Sequence, residues 1–93
     1  MIRSFRCRKT ERLFKRKRVK EFDAIAAAAR WRLVALDSAQ VLTDLLIPPS
    51  NRLEALTGDR QGQYSMRIND QYRICFNWQE GNAENVEITK HYR

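Results

Sequence analysis

The chain has 93 residues, 43% of them hydrophobic and 31% charged, with a formal net charge of +7. That length feeds one small core, which excludes two domains, and the apolar fraction is well above that of a disordered chain. No run of about 18 apolar residues occurs and the start, MIRSFRCRKTERLF, lacks the apolar centre of a signal peptide, so residues 1–93 are expected to form a single cytoplasmic domain with no membrane partner.

The charge is unevenly spread. Ten of the 18 Lys and Arg fall within the first 20 residues, against Glu11 alone, and the rest of the chain is slightly acidic. A polyanion fits such a segment, and nucleic acid is the commonest one; a basic face that only serves solubility is an equally ordinary reading of KRKRVK. Cys7 and Cys75 are too few for a disulfide scaffold or a zinc knuckle and read as reduced thiols.

In chain order, residues 2–5 alternate as an edge strand can, and residues 10–17 carry Leu13 and Phe14 among charges as one helical segment. A stronger pattern follows. Phe22, Ile25, Ala26, Ala29, Leu33 and Leu36 recur at spacings of three and four, which predicts an uninterrupted central helix over residues 22–36. Trp31 lies half a turn from that face, about 2.5 turns past Phe22. It is expected to pack on the first helix, with an exposed partner-binding patch as the alternative. Residues 41–46 form a short helical turn that Pro48-Pro49 stops, and residues 51–56 read as a short strand.

After the loop LTGDRQGQ, residues 64–68, 72–78 and 85–91 are the best strands, the last two joined at Gly81-Asn82. Helices first and strands after them give an α+β chain, with N-terminal helices packed on one face of a largely antiparallel sheet of four to five strands.

Alternation puts Tyr64, Met66, Ile68, Tyr72, Ile74, Phe76 and Trp78 on the core face and Ser65, Arg67, Arg73, Cys75 and Asn77 on the solvent face. A three-residue turn, Asn69-Asp70-Gln71, pairs Ile68 with Tyr72 and sets Arg67 opposite Arg73. Like charges so placed repel. Either an acidic side chain lies between them, with Glu87 and Glu54 as the candidates, or the site is built for a bound anion. In the last strand Val86 and Ile88 face the core, so Glu87, Thr89 and His91, the one histidine of the chain, point to the arginine face. Imidazole can donate or accept a proton near neutral pH, and Lys90 and Tyr92 flank it. No metal-ligand spacing and no glycine-rich phosphate loop are present, and no cofactor is expected.

The stretch NRLEALTGDRQGQYSMRINDQYRICFNW, followed by VEITKHY, resembles the HigB-type toxins of bacterial type II toxin-antitoxin systems, within the RelE superfamily. The resemblance implies a RelE-like fold and a ribosome-dependent endoribonuclease that cuts messenger RNA in the decoding site. It also implies neutralisation by a HigA-like antitoxin with a helix-turn-helix domain, with operator DNA met only through that antitoxin. On this reading Arg60, Arg67 and Arg73 hold phosphate charge, and His91 and Tyr92 are the candidate acid and base. Glu54 stands where some relatives carry a catalytic histidine. Lys90 assists, and Arg16, Lys17 and Arg18 contact ribosomal RNA. Relatives commonly end in Asp-Tyr-His, whereas this chain has Lys90-His91-Tyr92, which leaves open a module of the same fold that binds RNA, ribosome or antitoxin with little catalysis.

Overall fold

Period-two alternation and two tight turns build the sheet on which the helices pack. The computed structural model describes residues 1–90, with helices α1 (Arg8–Phe14) and α2 (Ala26–Ser38) and strands β1 (Glu54–Ala55), β2 (Gln63–Arg67), β3 (Tyr72–Gln79) and β4 (Asn82–Lys90). The sheet order is β1-β2-β3-β4 and each neighbouring pair is antiparallel. This is the α+β arrangement expected from helices first and strands after.

The β2–β3 hairpin closes as its sequence predicts. The Ile68 amide donates to the Tyr72 carbonyl at 2.9 Å, and the Asn69 side-chain oxygen accepts from the Gln71 and Tyr72 amides at 2.8 and 2.7 Å. An asparagine side chain thus supplies the acceptor that a tight turn needs. The β3–β4 turn is shifted by one residue from the expected Gly81-Asn82. Glu80 and Gly81 form it, with φ of 52° and 79°, the backbone pair that matches strand twist in a two-residue hairpin. Ala83 and Val86 both reach the core although they are three positions apart. Strict alternation forbids that, and a bulge resolves it: Phe76 of β3 faces both Asn85 and Val86, with Asn85 at φ 55°.

The predicted apolar face of the helical half holds. Phe22, Ile25, Ala29, Leu33 and Leu36 are buried, with Ala26 packed against them. The continuous rod does not hold: Lys20–Ile25 is a 3₁₀ turn, and Ile25 leaves helical geometry (φ −115°, ψ 4°) before α2 begins. Phe22 and Ile25 are three apart, which is the repeat of a 3₁₀ turn, so the tighter winding points both inward. The first helix also stops early, at Phe14, because Arg16 turns left-handed (φ 65°). From α2, Arg30 donates through Nε to the Leu13 carbonyl (3.1 Å) and through Nη2 to the Lys17 carbonyl (3.3 Å). These bonds satisfy acceptors that a helix end leaves open. Arg30 therefore faces α1 where Trp31 was expected, and Trp31 is 53% exposed, with the Arg32 guanidinium 5.6 Å from its ring centroid.

Residues 51–56 depart most from expectation, since only Glu54 and Ala55 pair as strand. Asn51 ends a 3₁₀ turn and is fully buried, its side-chain nitrogen donating to the Leu45 and Ile47 carbonyls at 3.2 and 3.4 Å. A side chain recruited to loop carbonyls overrides strand alternation there. Ahead of it, the short turn Leu42–Leu46 is capped by Asp44, which accepts from the Gln40 and Val41 amides. At the other sheet edge the N-terminal segment runs parallel to β4 through bridges Ile2–Ala83 and Phe5–Val86. Buried Thr10 adds to it, its hydroxyl accepting from the Ile88 amide at 2.9 Å. The β4 edge is covered by chain rather than left open.

Candidate functional site

The second face of the sheet is laid out by register. Glu54, Ser65, Cys75 and Glu87 form one row across β1 to β4, and Arg67, Arg73 and Thr89 form the next. The sequence predicts a solvent-facing surface, but Cys75 is 0% and Ser65 2% exposed. The cover comes from Arg60, at the end of the 3₁₀ turn Gly58–Arg60. Its Nη1 donates to Glu87 Oε1 at 2.8 Å and to Gln63 Oε1 at 3.0 Å. The bond to Glu87 raises the Arg60 pKa above its ordinary value, so the guanidinium is held charged at any physiological pH. Only one of its nitrogens is engaged among the described residues.

Arg67 and Arg73 do stand opposite each other, as the turn length requires. Their surroundings differ. Arg67 pairs with Asp70 in its own hairpin loop, so the acid that answers it is neither Glu87 nor Glu54. A partner three residues away needs no long loop closure, whereas Glu87 is taken by Arg60. Arg73 lies beside Cys75, and its Nε is buried with no acceptor among the described residues. Burial pushes the Cys75 thiol up despite the opposing charge of Arg73 and Arg60, which keeps it protonated.

Glu54, Arg60 and Arg73, with Ala55, Leu56 and Thr57, line an open depression of about 280 Å³. Three of the residues singled out in the sequence therefore meet in one place. Arg67 belongs to the neighbouring row and is not part of that lining. Lys90 is exposed at the end of β4, its ammonium 5.9 Å from the Tyr72 ring centroid. Arg16, Lys17 and Arg18 are exposed on the loop after α1, apart from the depression. Arg18 is bonded to Asp23 at 2.7 Å, which raises the one pKa and lowers the other. Lys17 lines a second, basic depression of about 210 Å³ with Arg8, Glu11, Arg12 and Lys15. His91 and Tyr92 lie outside the described residues.

Arg32 is the residue that sequence reading missed. It donates through Nη1 to the Ala28 carbonyl at 3.2 Å, while its Nε is buried without an acceptor among the described residues. Burial, and then the positive charge of Arg67, lower its pKa. A signal was present: Arg32 falls three residues after Ala29 and four before Leu36, the spacing of the buried stripe itself.

The family of HigB-like toxins, described as RelE-like toxin of type II toxin-antitoxin system HigB, matches residues 3–91. Toxin HigB-1 of Vibrio cholerae is 47% identical over 60 residues, covering 64% of this chain and 63% of that protein. An uncharacterized protein of Haemophilus influenzae is 30% identical over 60 residues, covering 64% of this chain and 59% of its own length. The match thus spans slightly under two thirds of either relative. Among solved structures, a chain of the YoeB-YefM complex from Staphylococcus aureus shares the fold, with a TM-score of 0.62 over 99% of both chains at 17% identity. With a family match through nearly its whole length, the chain belongs to the HigB-like, RelE-like toxins of type II toxin-antitoxin systems.

Proposed function

We propose that this protein is the toxin of a bacterial pair and acts as a ribosome-dependent, metal-independent endoribonuclease on messenger RNA. The observation that carries this reading is the depression shared by Arg60, Arg73 and Glu54. In such a cleavage the 2′-hydroxyl loses its proton to a base and attacks the adjacent phosphorus. The bond to the 5′-oxygen breaks and that oxygen takes a proton, leaving a 2′,3′-cyclic phosphate and a 5′-hydroxyl. The transition state places extra negative charge on the non-bridging oxygens, and fixed cations aimed at it are the main device for lowering the barrier.

Arg73 suits that role because its Nε has no competing acceptor among the described residues. Arg60 adds a second cation through the nitrogens that Glu87 and Gln63 leave open. Glu54, exposed on the rim, is a candidate base. His91 and Tyr92 are proposed as the further acid and base on resemblance alone. Arg67 and Lys90 attract the flanking phosphates, and Arg16 and Lys17, with Arg18 partly drawn off by Asp23, contact ribosomal RNA. The partner that neutralises the protein is a HigA-like helix-turn-helix antitoxin, with operator DNA reached through it and the cytoplasm as the place of action. The fold relative solved as the YoeB-YefM complex supports pairing with an antitoxin.

The test is induced expression in a bacterial host, followed by mapping of messenger cuts with and without translating ribosomes. Growth arrest and cuts that need translation, both lost in Arg73→Ala, are the expected result. Cleavage unchanged in Arg73→Ala would remove the proposed site.

A further inference from the structure

We propose that Trp31 and Arg32 form a second subsite that takes one nucleotide of a single-stranded RNA, the base on the Trp31 ring and its phosphate on Arg32. The inference rests on the ribonuclease reading and extends it beyond the depression at Arg73.

Three independent observations meet at this point of α2. Trp31 is 53% exposed, and α1, the nearest helix, is already engaged by Arg30. The Arg32 guanidinium stands over one face of the indole, and the opposite face is left for a base to stack on. Next to it, Arg32 is a partly buried cation with no acid bonded to it among the described residues. Its Nε is buried with no acceptor among the described residues, so the cation carries no neutralising charge there. Finally, the Arg32 guanidinium lies 5.6 Å from the Trp31 ring centroid, so cation and aromatic ring form one unit, at the separation over which a nucleotide presents its phosphate and base.

The position relative to the first site is as informative as the chemistry. Arg67 acts on Arg32 through its charge and stands directly opposite Arg73 across β2 and β3. Arg32 thus lies within the field of the arginine row that borders the depression. An apolar protein partner would use Trp31 and exposed Val34 but would leave the Arg32 cation unanswered. The local charge favours RNA.

The experiment uses the full chain and a short, fluorescently labelled 2′-O-methyl RNA, which cannot be cut because its 2′-oxygens are blocked. In a Trp78→Phe background Trp31 is the single tryptophan and reports directly. Expected results are quenching of Trp31 emission on RNA binding and about tenfold weaker binding in Trp31→Ala, with most of the affinity kept in Trp31→Phe. Arg32→Gln should lower the salt dependence of binding by about 0.7 in the log-log slope, and Arg32→Lys should restore it. Unchanged Trp31 emission and unchanged affinity in Trp31→Ala, while Arg73→Ala still loses RNA, would overturn the subsite and leave the ribonuclease reading standing. Loss of a protein partner but not of RNA in Trp31→Ala would overturn it equally. Failure of the wild-type protein to bind the RNA at low salt would overturn the subsite, while the ribosome-dependent reading would still stand or fall on the cleavage test.

Discussion

Arg67 and Arg73 occupy paired positions on adjacent strands, yet among the described residues one is answered by an acid and the other is not. Arg67 meets Asp70 at the hairpin tip, with the carboxylate in open water. Arg73 is backed by buried Cys75 and keeps a buried nitrogen without an acceptor among the described residues. A sheet face can thus place two identical side chains a strand apart and give them different duties. The cation with its own acid is a surface feature. On the proposed function, the cation without one among the described residues is the one that meets the phosphate.

The largest expected effect follows from that difference. Arg73→Ala should lower single-turnover messenger cleavage on programmed ribosomes by about 10²- to 10³-fold, the scale of losing one transition-state donor, and Arg67→Ala by about tenfold or less. Equal losses would break the contrast.

The acids give the next test. Glu87→Ala leaves the half-buried Arg60 without its partner and should cost about 1–2 kcal/mol in urea denaturation, whereas Asp70→Ala should stay within about 0.5 kcal/mol.

Behind Arg73, the buried Cys75 thiol has a folded pKa above its unfolded value. Its contribution to stability is complete below the ordinary thiol value of about 8.5 and is lost as pH rises through the raised one, because the unfolded chain then binds fewer protons. Cys75→Ala should flatten the alkaline limb of a stability profile. In the native state a thiol reagent should modify Cys7 and spare Cys75 until the chain unfolds.

The smallest effect belongs to Asp23, whose pKa Arg18 depresses. Its stabilisation is present above the ordinary carboxylate range and fades as pH falls through the lowered value, so Asp23→Asn should alter only the acid limb, and slightly, because the pair sits in solvent.

What could be read in advance was what depends on period and turn length. The β2–β3 register, the meeting of Arg67 with Arg73 and the presence of Glu54 and Glu87 on the arginine face all follow from counting residues between turns. The misses have one cause, a side chain leaving its local frame to satisfy a distant group. Asn51 turns inward to loop carbonyls and dissolves a strand. Arg30 reaches α1 and displaces Trp31 into water. Arg60 crosses to Glu87, 27 residues later, and encloses a face that alternation assigns to solvent. Arg32 shares the helical spacing of the core, but an arginine among alanines and leucines reads as a surface residue until its burial is known.

The cover on the β4 edge bears on when the protein can exist as a folded molecule. Ser4 bonds the Asn85 amide through its hydroxyl, Thr10 bonds Ile88, and Ala83, Val86 and Ile88 complete the core. Residues 2–10 are thus held by β4, and contacts so distant in sequence form late. A chain ending at Gly81 should show little amide protection in hydrogen exchange. During synthesis the helices and the β2–β3 hairpin emerge with their edge open and their core unfilled. Until β4 has been made, the helices have no complete sheet to pack on.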